Sequence, residues 1–271
     1  MESLRFCFSI HCSLEKEKLF FAAGLCAATP LHKTAKERKF SMRVTFITHS
    51  SYFVELNSCC LLFDYTEGAV PETDKPLYVF ASHGHSDHFS PAVFHLSREN
   101  RETYYLLSDD IWEENVPEAL REQVLFISPH QTYAVGAVKV AALESTDLGV
   151  AFLVQCEGKL LYHAGDLNCW VWDGAPKNQN DAMTEQYRQE LEFLRGRKID
   201  VAFVPLDPRQ EQDFDLGMKL FFEAADAKCV FPMHMWEDYS VVPLFKSTPG
   251  YEDYARRLMD VSKPGQEFVI E

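Results

Sequence analysis

Apolar residues recur along this chain in short, closely spaced runs rather than in long helical stripes. Four such runs crowd one region, at 43–48, 51–56, 59–64 and 77–82, with turn residues such as Asn57 and Ser58 between them, and each predicts a β-strand. Their close spacing predicts a meander rather than strand–helix–strand units. Further β-branched runs near 123–127, 137–143, 150–155 and 159–163 extend the pattern, and Glu157-Gly158 supplies a hairpin turn. Helical spacing enters later. The stretch 181–196 sets Tyr187, Leu191 and Leu194 on one face, and 215–226 does the same for Leu216, Leu220 and the Phe221-Phe222 pair, both read as core-packing faces. Asp200-Val-Ala-Phe-Val-Pro-Leu206 and Cys229-Val-Phe231 are continuous apolar runs of the kind that a sheet buries on both faces. Ser90 as N-cap with Pro91 at the first position predicts a helix start soon after the fourth strand. The whole pattern predicts an α/β sandwich, not a doubly wound sheet, without internal repeats or a long linker.

Composition changes this picture in three ways. At 271 residues, 46% hydrophobic and 13% aromatic, the chain can bury one sizeable core, so a single domain suffices. The net charge is −15, and the first 41 residues hold seven Lys or Arg against four Glu, so the remainder carries −18. A phosphate backbone would be repelled by such a domain, and no nucleic-acid partner is expected. The eight cysteines (Cys7, Cys12, Cys26, Cys59, Cys60, Cys156, Cys169 and Cys229) show no Cys-x-x-Cys spacing, and several lie in apolar runs. They are expected to be reduced packing residues of a cytoplasmic protein. Residues 1–41 are the outlier. Their apolar run, Leu19 to Ala28, is too short to cross a bilayer, and the mixed charges of Glu15 to Lys18 before it do not make a secretion signal. We therefore expect no membrane association, an N-terminal extension over 1–41 outside the core, and one domain over 42–271. Nothing in the pattern indicates an oligomeric state.

The densest chemistry lies directly after the fourth apolar run. Ser82-His83-Gly84-His85-Ser86-Asp87-His88 packs three histidines and an aspartate into six residues. Neutral imidazoles and a carboxylate are the N and O donors that Zn²⁺ takes at about 2.0–2.2 Å, and a loop at a strand end can aim all of them at one point. The cluster therefore predicts a metal site.

The pattern His-x-His-x-Asp-His resembles the signature of the metallo-β-lactamase superfamily, and two later elements extend the likeness. Leu160-Leu-Tyr-His-Ala-Gly-Asp166 is similar to the strand-end Gly-Asp that supplies a bridging aspartate, and Cys229-Val-Phe-Pro-Met-His234 to the element that supplies a late histidine. The opening Val44 to Leu56, followed by Leu61-Leu-Phe-Asp64, is similar to the hairpin of the branch containing ascorbate-6-phosphate lactonase. The resemblance runs from Met42 to the C-terminus. It implies a four-layer αββα metallo-β-lactamase sandwich holding one or two Zn²⁺ or other divalent transition metal ions per chain. His83 and His85 would belong to a first site, Asp87, His88 and His234 to a second, and Asp166 to both. Most members add a lone histidine to the first site, but the equivalent stretch here, Leu143 to Phe152, has none. Asp147 or Glu144 is then the candidate replacement, and the first ion is expected to be held more weakly.

The activity implied is metal-dependent hydrolysis of a small ester, lactone or phosphodiester by a metal-bound hydroxide. Asp87 would be ligand or general base, and His163, beside the Gly-Asp element, a proton donor to the leaving group or else a packed histidine. Trp170 and Trp172 are candidates to wall the pocket, and Arg209 to recognise one phosphate or carboxylate on a small-molecule substrate. Two other classes stay open: an iron-dependent redox or sulfur-oxidising enzyme of the same fold, and a metal-binding protein without turnover.

Overall fold

The structure, a computed structural model, describes residues 42–271. The expected extension over 1–41, with Cys7, Cys12 and Cys26, lies outside the described residues. Thirteen strands form two sheets packed face to face, with helices on the outside. The first sheet holds β1 (Met42–Thr48), β2 (Ser51–Glu55), β3 (Cys60–Phe63), β4 (Leu77–Ala81), β5 (Thr103–Ser108), β6 (Val124–Ile127) and β13 (Glu267–Ile270), in the order β13-β1-β2-β3-β4-β5-β6. The second holds β7 (Thr132–Val135), β8 (Val138–Glu144), β9 (Val150–Cys156), β10 (Lys159–His163), β11 (Lys198–Pro205) and β12 (Asp226–Met233), in the order β12-β11-β10-β9-β8-β7. This is the sandwich that the hydrophobic pattern predicts.

The meander ends one strand earlier than its spacing predicts. β1, β2 and β3 pair antiparallel, but β3, β4, β5 and β6 run parallel, with Phe63 opposite Phe80 and Phe80 opposite Leu106. Parallel neighbours need a crossover, and here the crossovers are irregular loops and short 3₁₀ turns instead of α-helices. Ser90 does cap the segment that follows, accepting from Ala92 N with Pro91 at the first turn, but Pro91–Leu96 is 3₁₀. α1 (Lys177–Leu191) begins four residues before the predicted stretch and ends in a 3₁₀ turn, Glu192–Leu194, whereas α2 (Leu216–Ala224) falls within its predicted range.

The first sheet has two apolar faces. Phe46, Tyr52, Phe63 and Phe80 point into the sandwich, where Phe63 and Phe80 stack 4.8 Å apart and meet Phe152 and Phe203 of the second sheet. Leu62, Val79 and Leu107 point outward, under Phe89, Val93 and Phe94 of the 3₁₀ layer. On the second sheet the outer face lies under α1 and α2, where Tyr187 and Phe221 are fully buried and Tyr162 stacks on Phe221 at 5.5 Å. Among the described residues no helix is long and apolar enough to cross a membrane.

One consequence of the topology places the chemistry. β3 and β4 are parallel, as are β10, β11 and β12, so five strands end at the same edge of the sandwich. The β1–β2 turn and the β8–β9 loop reach that edge from antiparallel neighbours, with Tyr52 opposite Phe63 and Phe152 opposite His163. Carboxyl ends of parallel strands are where α/β folds place their ligands.

Candidate metal centre

Each of those seven chain turns delivers a polar side chain. His49 comes from the β1–β2 turn, Asp64 from the end of β3, and His83, His85, Asp87 and His88 from the loop after β4. Asp147 comes from the β8–β9 loop, Asp166 from the end of β10, Asp207 from the end of β11, and His234 from the end of β12. The donor atoms fall into two groups, His83, His85, Asp147 and Asp166 in one and His49, Asp87, His88 and His234 in the other, each within 4.8 Å.

Asp166 joins the two. Its Oδ2 lies 3.5 Å from His83 Nε2, while its Oδ1 lies 3.1 Å from His88 Nε2 and 3.4 Å from His234 Nε2. In the first group His83 Nε2 and His85 Nδ1 stand 3.0 Å apart, and His85 Nδ1 is 3.6 Å from Asp147 Oδ2. In the second, Asp87 Oδ2 lies 3.4 Å from His49 Nε2 and 3.7 Å from His234 Nε2. All six expected ligands therefore converge. Asp147 joins the first group, while Glu144 turns away toward His130 and Glu190.

The far side of the histidines is wired to buried carboxylates. His88 Nδ1 donates to Asp64 Oδ2 at 2.7 Å, and His234 Nδ1 to Asp207 Oδ2 at 2.8 Å, with both aspartates fully buried. His83 Nδ1 is 3.0 Å from Ser82 Oγ, which donates to Asp64 Oδ2 at 2.7 Å. Fixing the proton on Nδ1 leaves the Nε2 lone pair of each ring pointing into the centre. There Nε2 of His49, His88 and His234 and Oδ1 of Asp166 are buried without a hydrogen-bond partner. Four orphaned polar atoms at one point are costly unless a cation gathers them, so the second group fits a divalent ion, and the first group offers a further set of donors that shares Asp166 with it.

The electrostatics agree with that fit. Burial opposes charge on His88, yet the Asp166 and Asp64 carboxylates outweigh it and push its pKa up to about 10. Burial pulls His83 down to about 4, with the charge on His88 adding to it. Burial also opposes charge on Asp166, but the surrounding imidazoles, His88 first, hold it far below the usual carboxylate range. A positive charge is wanted at this point, and a proton is the least that satisfies it.

Backbone strain marks the same place. His49, Asp64 and His234 adopt φ of 45°, 43° and 62°, a left-handed conformation that costs a non-glycine residue about 1–3 kcal/mol and persists where packing enforces it. Gly149, φ 70°, lets the Asp147 loop close on the cluster, since a Cβ there would stand 2.1 Å from Ser82 O and 2.6 Å from His83 Cβ.

His163 does not reach the centre. It is fully buried, its Nδ1 accepts from Gly165 N at 3.2 Å, its Nε2 donates to Ser50 O at 3.0 Å, and its ring stacks on Phe63 at 4.9 Å. With both nitrogens engaged inside the sandwich it has none for a leaving group, so the expected proton donor is a packing residue. Trp170 is buried and donates from Nε1 to Asp166 O at 2.8 Å, whereas Trp172 is half-exposed. Both tryptophans and Arg209 line a cleft of about 220 Å³ that reaches Asp147 and Asp166. A second opening, about 670 Å³, lies on the other side along His49, Asp87 and Trp236.

Sequence reasoning missed His49, Asp64 and Asp207. Asp64 and Asp207 are single polar residues closing apolar runs, and His49 stands in the short polar turn Thr48 to Ser51 between two of them.

A family model described as a beta-lactamase superfamily domain matches residues 43–234. A UPF0173 metal-dependent hydrolase of Alkaliphilus metalliredigens is 25% identical over 229 residues, spanning 77% of this chain and 90% of its own length. Another protein of that name, from Desulforamulus reducens, is 26% identical over 260 residues, spanning 84% of this chain and all of its own. Among solved structures, Igni18, a metallo hydrolase from Ignicoccus hospitalis, superposes with a TM-score of 0.57 at 16% identity, covering 85% of this chain and 99% of that one. The metallo-beta-lactamase fold protein YhfI from Bacillus subtilis gives 0.54 at 15% identity, covering 85% and 100%. At such identities these two structures bear on the fold alone.

Proposed function

The chain belongs to the metallo-β-lactamase superfamily, and on that footing we propose that it is a metal-dependent hydrolase of a small ester, lactone or phosphodiester, with zinc the first ion to test. One observation carries the reading: two donor groups share Asp166, and in the second of them the Nε2 atoms of His49, His88 and His234 and Oδ1 of Asp166 are buried without a hydrogen-bond partner. The first ion would be held by His83, His85, Asp147 and Asp166, the second by Asp87, His88, His234 and Asp166 with His49 beside them. The name shared by the Alkaliphilus and Desulforamulus relatives supports the same class of activity.

When bound, two divalent ions supply an acidified water as nucleophile and Lewis-acid polarisation of the scissile group's oxygen. The chain's own residues do the rest. Asp64 and Asp207 hold protons at Nδ1 of His88 and His234, which fixes tautomer and ring direction. Ser82 Oγ passes the same constraint from Asp64 to His83. Trp170 pins the Asp166 loop through its carbonyl and, with Trp172, shields one side of the centre from water. Asp87, partly exposed between His49 and His234, is the carboxylate placed to orient an incoming water. The acidic composition favours small substrates, and the free thiols of Cys59, Cys60, Cys156 and Cys169, buried in the core, support a reducing, cytoplasmic setting.

The test is a screen of generic small esters, lactones and phosphodiesters with protein before and after chelation and after return of Zn²⁺, Mn²⁺ or Fe²⁺. Turnover of at least one class, lost on chelation and restored by metal, is expected. Cleavage that survives chelation, or turnover of RNA or DNA alone, would overturn the proposal.

A further inference from the structure

Arg209 stands at the mouth of the cleft that leads to Asp166, on the loop Leu206-Asp-Pro-Arg209 after β11. Asp207 engages one edge of its guanidinium: Nε lies 3.1 and 3.0 Å from Oδ1 and Oδ2, and Nη2 lies 2.6 Å from Oδ2. No described residue accepts from Nη1. The guanidinium plane is held by aromatic contact, with Cζ 4.4 Å from the ring centre of Trp236 and 6.0 Å from that of Trp172. A guanidinium has two forked edges, and fixing one of them by an ion pair and a stacking ring presents the other ready for two oxygens.

Three further features bear on what would bind there. Among the described residues Arg209 is the one cation lining that cleft, and residues 42–271 carry −18, so it is the local exception to a repulsive field. The adjoining wall is apolar and flat, formed by Trp170, Trp172 and Met183, with Trp172 38% and Trp236 44% exposed. The cleft's volume, about 220 Å³, lies below the roughly 300–1,000 Å³ of sites for drug-sized ligands.

The geometry points to a compact anion as substrate: its carboxylate or phosphate sits on the Nη1/Nη2 edge of Arg209, and its flat apolar part lies on Trp172. The labile bond then falls toward Asp166. This rests on the hydrolase reading above and names the substrate class of that same site. Arg209 is a specificity residue, and Asp207 ties it to His234, so the anion is recognised one residue away from the metal donors.

Binding rather than turnover separates the two proposals. Phenylacetate, phenyl phosphate and neutral phenylacetamide are titrated by calorimetry into zinc-loaded wild type, Arg209→Lys, Arg209→Met and Trp172→Ala, with metal content measured for each. Wild type is expected to bind an anionic member at least about tenfold more tightly than phenylacetamide, as a charged bidentate pair warrants. That ratio falls close to one in Arg209→Met and drops severalfold in Arg209→Lys, which keeps a cation beside Asp207 but lacks the fork. Trp172→Ala weakens all three ligands and keeps the ratio. The stronger of phenylacetate and phenyl phosphate identifies the oxyanion. Equal binding of acid and amide by wild type would overturn the inference. So would a preference that survives in Arg209→Met, since the anion would then sit on the metal, or one retained in full by Arg209→Lys. A failed hydrolysis screen leaves this result standing, and the reverse holds as well.

Discussion

Asp166 carries more of the centre than any other side chain, because its two oxygens face different donor groups and one of them has no hydrogen-bond partner. The same logic separates ligands from look-alikes. Asp147, half-exposed on a loop, faces His85 at 3.6 Å, while His163, adjacent to the Gly-Asp element in sequence, is sealed behind it. Replacing Asp147 by Ala should therefore lower zinc content by one ion per chain with little change in unfolding temperature. Replacing His163 by Ala should do the opposite, leaving zinc content intact while costing about 2–4 kcal/mol in denaturant unfolding, from a cavity and from unpaired Ser50 O and Gly165 N. Zinc loss in the second variant, or none in the first, would reverse these roles. What was legible at this scale follows from density. His83 to His88 announce themselves because four donors share one loop, and Asp166 and His234 because each ends an apolar run within a recognisable element. His49, Asp64 and Asp207 are lone residues whose meaning appears only when separate strand ends are brought to one edge.

Strand direction is the property that assembles the site. β10, β11 and β12 are locked in parallel register at the edge far from the metal donors by Asp200, whose carboxylate accepts from Leu160 N at 3.1 Å and from Lys228 at 2.6 Å and faces Lys159 at 3.5 Å. Burial would raise the Asp200 pKa, but the Lys228 contact and the Leu160 amide outweigh it and lower it. A carboxyl depressed in the folded state stabilises the fold above its unfolded value of about 3.9 and loses that contribution as pH falls through the folded value. Asp200→Asn is therefore expected to cost about 1–2 kcal/mol at pH 7, an effect that shrinks as pH falls below the unfolded carboxyl value of about 3.9 and through the lowered folded one, read by urea unfolding across pH. A penalty that does not change with pH would mean that the amide geometry, not the charge, holds the strands. The elements themselves were largely legible, since runs such as Leu77 to Ala81 are apolar throughout and read as buried strands. Their pairing was not. Whether β4 runs parallel or antiparallel to β3 depends on the loop between Phe63 and Leu77, which has no periodicity, and β13 is a short run whose partner, β1, lies at the other end of the described residues. Ser90 and Pro91 mark a helix start, and the segment they open, Pro91–Leu96, is 3₁₀ and packs Val93 and Phe94 in one cluster with Val79 and Leu107.

For the whole molecule, the two sheets supply rigidity and a single edge supplies the chemistry. A domain of charge −18 gathers aspartates and histidines there in a form that only added positive charge satisfies. The substrate class, the water chemistry and the role of Arg209 all depend on that claim. It is tested most directly by anomalous diffraction at the zinc edge from crystals of zinc-loaded protein. Two peaks per chain are expected, both against Asp166, one beside His83, His85 and Asp147 and the other beside Asp87, His88 and His234. A single peak would contradict the two-ion centre, and peaks only at Cys59, Cys156 and Glu157 or at His130, Glu144 and Glu190 would contradict the site itself.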